Sequence, residues 1–275
     1  MIELIRATST DRRILARLFQ VEHGSCNNTG VEYRGLRGIE IPILPPVLYK
    51  SLLLPTQLKT CQSPRQLFDS ICALFREHVM LSENQCMLLT YWSVASWFSD
   101  VMPFIPCLAI TGPAFVADLL FRVLRCVCRR PLLLAGMNPA ILRALPLEEL
   151  MPTLLIREPQ LSKRMALLLE ASSQVGYLVA SGRDVRQFFC AKSIYLGEQA
   201  QQSTLPRHSI HIRVNGNGLT PIRSLPANAQ DWQNELLCFR LLVHADVASS
   251  KFSSRVSAGI LCCGPGAGCT LCPRP

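Results

Sequence analysis

The sequence lacks a concentrated basic tract. Five of its 28 basic residues are lysines, and no run of Lys or Arg exceeds two residues. The formal net charge of +9 is therefore spread along the whole chain. A basic balance of this kind favours anionic partners, nucleic acid first, but it also fits an ordinary solvated surface.

The N-terminal residues lack the apolar core of a secretory signal, so we expect a cytoplasmic protein. The 13 cysteines do not argue against this, because their number is odd and most of them before the C-terminal tail lie inside apolar patterns. We expect these to be reduced, buried thiols. They are Cys72, Cys86, Cys107, Cys126, Cys190 and Cys238.

An uninterrupted membrane span is also missing. Residues 101–121 have the length of a span, Asp118 is their only charge, and arginines follow them. However, Pro103, Pro106, Gly112 and Pro113 divide the stretch into a strand-sized piece and a helix-sized piece. A membrane-associated protein that spans with 101–121 remains an alternative to the soluble interpretation.

Strand-like and helix-like patterns alternate through the middle of the chain. Apolar runs predict strands at 107–111, 131–135, 153–156, 177–180, 193–196 and 209–214, and helical periodicity predicts helices at 117–128, 161–173 and 232–244. Ser63-Pro64 and Ser82 with Gln85 predict the starts of two earlier helices. The pattern indicates an α/β protein with a doubly wound, mostly parallel sheet and flanking helices.

Three segments follow from this pattern. Residues 1–62 are the least patterned and form an N-terminal lead. Residues 63–218 carry the α/β domain. Residues 219–275 form a helical extension and a loose tail rich in Cys, Pro and Gly.

The strand at 107–111 runs into Thr111-Gly112-Pro113 and then a helix. This is the frame of a phosphate-binding loop, whose working form is G-x-x-x-x-G-K-[ST]. Here Gly112 opens the turn, no second Gly follows, and Asp118 stands near the position of the Lys. The sequence therefore predicts a degenerate loop at Thr111, Gly112, Pro113 and Asp118.

The strand at 153–156 ends in Arg157-Glu158. In P-loop ATPases an acidic pair in this place holds Mg²⁺ and orients water. Glu158 occupies the second acidic position and is the vestigial catalytic candidate, whereas Arg157 replaces the first and would repel Mg²⁺. Glu158 also fits an ordinary solvated carboxylate at the end of a strand.

A basic stretch precedes and includes the strand at 209–214. Arg207, His208 and Arg213 form a candidate arginine-finger region, since ring ATPases supply such an arginine to a neighbour's phosphate. An exposed arginine on an edge strand explains the same residues without a catalytic role.

Several pieces, taken in order, resemble the P-loop ATPase domains attached to primases and helicases of phages, plasmids and mobile elements, the superfamily-3-like group. They include LFREHVMLSENQCMLLTYWSVASWF, PFIPCLAITGP, LLFRVLRCVCRRPLL, GMNPAILRALPLEELMPTLLIRE, LPRHSIHIRV and NELLCFRLLVHADV, and they cover roughly residues 45–255. The resemblance implies a P-loop fold, ATP and Mg²⁺ as cofactors, and DNA or a replication-protein subunit as partner.

The departures from that family suggest a non-catalytic relative. The loop Lys falls near Asp118, the Mg²⁺-binding Asp falls on Arg157, and the late Arg falls on His208. Each charge-assisted phosphate contact contributes ~1.5–3 kcal/mol, so we expect no ATP hydrolysis and no cofactor. An active DNA-dependent ATPase or helicase with an atypical loop, using ATP and Mg²⁺, is the alternative, and a decayed gene without function is another.

The C-terminal cysteines match a metal site in the number of ligands but not in their spacing. Cys262, Cys263, Cys269 and Cys272 could supply four ligands, but their spacing is short for a zinc site. We therefore predict no bound metal.

Overall fold

The computed structural model describes residues 2–6, 16–20, 46–59, 62–158, 161–181, 184–198, 208–216 and 228–249. The strands in these ranges are β1 (Ile2–Arg6), β2 (Ala16–Gln20), β3 (Cys107–Thr111), β4 (Pro131–Leu134), β5 (Thr153–Arg157), β6 (Leu178–Ser181), β7 (Asp184–Gln187), β8 (Lys192–Tyr195) and β9 (Ser209–Arg213). The helices are α1 (Pro46–Ser51), α2 (Pro64–His78), α3 (Glu83–Ser96), α4 (Ala114–Val127), α5 (Pro139–Ala144), α6 (Leu147–Leu150), α7 (Lys163–Ala171) and α8 (Ala229–Ser249).

The centre of the molecule is a five-stranded sheet in the order β4-β5-β8-β3-β9. Every neighbouring pair in it is parallel. The helix that follows β3 leads to β4 at one edge of the sheet. The next two strands of the sheet, β5 and β8, fill the space between β4 and β3. The last strand, β9, lies on the other side of β3. All five carboxyl ends therefore meet at one edge of the sheet, where open α/β sheets bind their ligands.

Both faces of this sheet are covered, which explains the continuous apolar strands. Leu108 and Ile110 of β3 lie in a core with α2, α3, α4 and α8. Cys107 and Ala109 lie in a second core with α5, α6 and α7. Side chains alternate between the two faces of a strand, so burial on both sides favours apolar residues at successive positions. The predicted α/β class with a doubly wound sheet is confirmed, and the fold is consistent with that of P-loop NTPases.

The first long helices begin where the sequence predicts. Ser63 and Gln66 form a capping box at α2, with Pro64 in the first turn. Ser82 and Gln85 form a second capping box at α3. In each box the serine accepts from a free backbone N–H while the glutamine side chain accepts from the serine N–H.

The end of α4 is closed by side chains from other helices. Trp97 Nε1 donates to the Val127 carbonyl at 2.8 Å. Gln233 of α8 donates to the carbonyls of Cys126 and Cys128 at 2.8 and 2.9 Å. Because the last carbonyls of a helix have no partner within it, these contacts join α8 firmly to the α/β core.

Some predicted elements differ from the structure. The strand predicted at 177–180 belongs to β6, which pairs with β7 in a separate antiparallel sheet. Helix α4 begins at Ala114, three residues before the predicted start, because Pro113 is compatible with a helix entrance. The described part of the N-terminal lead includes α1, and Leu52 and Leu54 are buried in the second core.

The structure also bears on the predictions about the buried cysteines and about the stretch 101–121. The six cysteines expected to be buried are all buried. Residues 101–121 contain β3 and the first part of α4. None of the helices in the described ranges combines the length and apolar character that crossing a membrane requires.

Candidate functional site at the carboxyl edge of the sheet

The connection between β3 and α4 is two residues long, Gly112 and Pro113. It follows the buried Thr111 and lies at the carboxyl edge of the sheet. Pro113 makes no side-chain cap for α4. Its carbonyl accepts from the N–H groups of both Val116 and Ala117 at 3.1 Å. The helix therefore starts directly at the strand end, with no extended loop between them.

Gly112 is held tightly by its neighbours. Its φ is +125°, a conformation that favours glycine, and a Cβ at this position would lie 2.1 Å from the Val214 carbonyl oxygen. Its N–H donates to the Gly197 carbonyl at 3.4 Å. Its carbonyl accepts from the Tyr195 hydroxyl at 3.0 Å. Both backbone polar groups of Gly112 thus have partners within the chain.

Asp118 lies in the second turn of α4 and forms an ion pair with Arg157. The Arg157 Nε is 3.4 Å from the Asp118 carboxylate, and the side chains are 48% and 39% exposed. The sequence marks both residues as having the wrong charge for a nucleotide site. In the structure these two opposite charges pair with each other.

Glu158 lies at the same edge, where it holds the loop after β4. Its Oε2 accepts from the Met137 N–H at 3.2 Å, and its own N–H donates to the Tyr195 carbonyl at 3.1 Å. Gly136 lies beside this carboxylate, since a Cβ there would be 3.7 Å from Oε2. Glu158 therefore has a structural contact within the loop.

His211 and Thr111 add a contact that the sequence does not reveal. Thr111 Oγ1 lies 2.9 Å from His211 Nε2, with β9 paired beside β3. Burial, together with the positive charge of Arg213, lowers the pKa of His211, so the ring is neutral at pH 7. A neutral ring can accept from the Thr111 hydroxyl or donate to it.

The predicted arginine-finger region is divided between the two edges of the sheet. Arg213 lies at the end of β9, in register with Thr111. His208 precedes β9, with a φ of 57° and an edge-on contact with Phe104. The two are five positions apart in sequence, which is roughly 16 Å along an extended strand. Arg207 lies outside the described residues.

The carboxyl edge therefore brings together Thr111, Gly112, Pro113, Asp118, Glu158 and Arg213 but not His208. Sequence reasoning missed Tyr195 and His211 as neighbours of the loop, because they lie 83 and 100 residues away from the residues that they contact. The sequence did contain a signal for the pair of Asp118 and Arg157. Two adjacent sites each carry an unexpected charge, and because the two charges have opposite signs they can pair.

Within the described ranges, no three His, Cys, Asp or Glu side chains are grouped so that they could hold a metal ion. The four C-terminal cysteines considered as zinc ligands lie outside the described residues.

The fold and this edge define an α/β protein with a five-stranded, all-parallel central sheet. No family model matches the chain, and no curated protein matches it. Among the solved structures that match is one described as "The A form apo structure of NrS-1 C terminal region-CTR". It has a TM-score of 0.41 and 12% identity, and the match covers 74% of this chain and 53% of that chain. The chain thus spans about half the length of that structure, and the similarity is weak.

Proposed function

We propose that this chain is a non-catalytic relative of the primase-helicase P-loop ATPases and that it does not hydrolyse ATP. The observation that carries the proposal is the two-residue connection between β3 and α4. A working phosphate loop wraps several successive backbone N–H groups around the phosphates before its helix begins. A connection of Gly112 and Pro113 alone has too few N–H groups for this, because proline has none.

The side chains at the edge support the same conclusion. Mg²⁺-ATP needs a lysine for the phosphates and a carboxylate for the metal. At these two positions the chain has Asp118 and Arg157, which neutralise each other, while Glu158 accepts from Met137. The residues present do not fit Mg²⁺-ATP, and we derive no hydrolytic step from them.

A thermal melt with and without Mg²⁺-ATP tests this proposal. A ligand that binds only the folded state raises the free energy of unfolding, and with it the melting midpoint. At a ligand concentration of 100 times its Kd the free energy of unfolding rises by about 2.7 kcal/mol. We expect no shift at millimolar nucleotide and no phosphate release above background. A saturable shift together with turnover that is lost in Glu158→Gln would favour the active ATPase instead.

We further propose that the same edge binds single-stranded nucleic acid. Phe115, in the first turn of α4, is 65% exposed. It lies beside the end of β9, because a Cβ on Gly216 would be 3.6 Å from the Phe115 ring. Arg213, which is exposed, ends β9 at this edge. An exposed aromatic ring close to the segment that follows Arg213 suits base stacking combined with phosphate contact, and the net charge of the chain supports an anionic partner.

Fluorescence anisotropy with a labelled oligonucleotide tests this second proposal. We expect Phe115→Ala to weaken binding roughly 5- to 150-fold, the value of one stacked base. Arg213→Gln should lower the salt slope of binding by about 1. The matched controls are Leu167→Ala, an equally exposed apolar residue on α7, and Arg65→Gln, an exposed arginine on α2. Equal losses in the controls, or no binding at about 50 mM salt, would contradict the proposal.

A further inference from the structure

Three arginines converge on one buried carboxylate at the opposite, amino-terminal edge of the sheet. Glu3 Oε1 accepts from Arg129 Nη2 at 2.7 Å and from Arg240 Nε at 2.5 Å. Glu3 Oε2 accepts from Arg130 Nη2 at 2.9 Å. The side chain of Glu3 is 2% exposed, and those of the arginines are at most 8% exposed. Four distant parts of the sequence contribute to this cluster, since Asp100 also pairs with Arg240.

The arginines are held in place without Glu3. Arg129 Nη1 donates to Ser99 Oγ at 3.3 Å. Arg130 Nη1 donates to the Leu150 carbonyl at 2.6 Å.

Arg240 is anchored most firmly of the three. It donates to both oxygens of Asp100, at 2.9 and 2.5 Å, and to the Trp97 carbonyl. The pocket formed by the three guanidinium groups is therefore built by the residues that precede β4 and by helix α8, and β1 supplies its occupant.

Glu3 reaches the pocket from a hairpin that is separate from the central sheet. Strands β1 and β2 form a two-stranded sheet of their own. The Glu3 carboxylate accepts hydrogen bonds from Arg129, Arg130 and Arg240. Glu3 thus joins a separate two-stranded sheet to the three arginines.

The charges require an anion in this place. Three buried guanidinium groups repel one another, and Asp100 alone does not balance them. His244, which faces Asp100, adds no charge at pH 7, because burial and the nearby Arg240 lower its pKa. The Nε atoms of Arg129 and Arg130 are buried without a hydrogen-bond partner.

We propose that Arg129, Arg130 and Arg240 form a carboxylate-binding pocket and that Glu3 is its built-in ligand. The pocket takes a single carboxylate, which three guanidinium groups hold through charge-assisted hydrogen bonds. When the Glu3 side chain is absent, the pocket binds a free carboxylate of the same size.

Chemical rescue of Glu3→Ala in the full chain tests this proposal. The substitution removes the atoms of one acetate and leaves the arginines in place. We expect its thermal midpoint to fall by roughly 10 °C. Sodium acetate at about 100 mM should then raise the midpoint of Glu3→Ala by several degrees but leave the wild type unchanged. Acetamide, the uncharged counterpart of acetate, should have no effect on either protein.

Two further variants make every result decisive. Glu3→Gln fills the space without the charge, so acetate should not stabilise it. Glu3→Ala combined with Arg240→Met lacks part of the pocket and should lose the rescue. Should Glu3→Ala be unfolded, acetate must restore its circular dichroism spectrum. Equal responses of wild type and Glu3→Ala, or an unfolded Glu3→Ala that acetate leaves unfolded, would overturn the proposal.

Discussion

Asp118 and Arg157 lie 3.4 Å apart, Arg157 Nε to Asp118 Oδ1, and so join helix α4 to the end of β5. Each residue stands where the P-loop resemblance expects the opposite charge. Because both are about half exposed, the pair contributes little to stability, about 0–1 kcal/mol. Its significance is that the two residues together add no net charge to this edge.

The first prediction separates charge from loop geometry. Asp118→Lys combined with Arg157→Asp restores the family's charges and keeps the ion pair in reverse. We expect no ATP binding by calorimetric titration up to about 1 mM, because the two-residue connection still offers too few N–H groups. A micromolar Kd for Mg²⁺-ATP would show that the charges alone were the obstacle.

The second prediction concerns the close approach of Gly112 to Val214. Gly112→Ala places a Cβ 2.1 Å from the Val214 carbonyl oxygen, so the strands must move apart. We expect a loss of about 3 kcal/mol or more in urea denaturation. Gly176→Ala is the matched control. Gly176 also has a positive φ, of 94°, but open space around it, and the change should cost about 1 kcal/mol. Similar losses at both positions would show that the contact is not tight.

The third prediction concerns Lys192, which is fully buried at the start of β8. Its Nζ donates to the Cys190 carbonyl at 3.2 Å. Burial lowers its pKa, so the unfolded chain binds the proton more readily than the folded chain does. Stability therefore rises with pH until the pH passes the ordinary lysine value of 10.5.

Lys192→Met removes the cost of burying a charged ammonium group. We expect it to raise the free energy of unfolding by about 1–2 kcal/mol at pH 7. The gain should shrink as the pH rises towards 10. Lys163→Met, an exposed position at the start of α7, serves as the control and should change stability little. A destabilised Lys192→Met with unchanged pH dependence would contradict the argument. Thermal melts of the three proteins at pH 7 and 10 measure both effects.

The fourth prediction concerns the acid side of the stability curve. Burial raises the pKa of Glu3, but Arg129, Arg130 and Arg240 outweigh this and lower it from 4.5 to about 2. A lowered carboxyl pKa contributes stability that is present above pH 4.5 and is lost as the pH falls towards 2.

The shift corresponds to about 3 kcal/mol at neutral pH. Glu3→Gln should therefore be less stable than wild type at pH 7 and approach it near pH 2. Urea denaturation at several pH values measures the difference. Parallel curves for the two proteins would mean that Glu3 is not charged in the pocket.

Much of the central fold follows from sequence patterns. Strand β3 has the predicted bounds, and α2 and α3 begin at their predicted caps, because capping boxes and continuous apolar runs are local signals. The early start of α4 was missed, since a proline can either end a loop or open a helix. The β6–β7 hairpin was also missed as a separate sheet, because a short apolar run does not reveal its pairing partner.

The chain's sequence alone determined that an α/β sheet forms and that Asp118 and Arg157 stand where the P-loop resemblance expects a lysine and an aspartate. Both properties depend on residue type and short-range spacing. Only the tertiary structure decided that Asp118 meets Arg157, that Tyr195 and Val214 close around Gly112, and that Glu3 meets three arginines more than 100 residues away. These contacts join residues that are distant in sequence, so the order of the strands and the packing of the helices place them together.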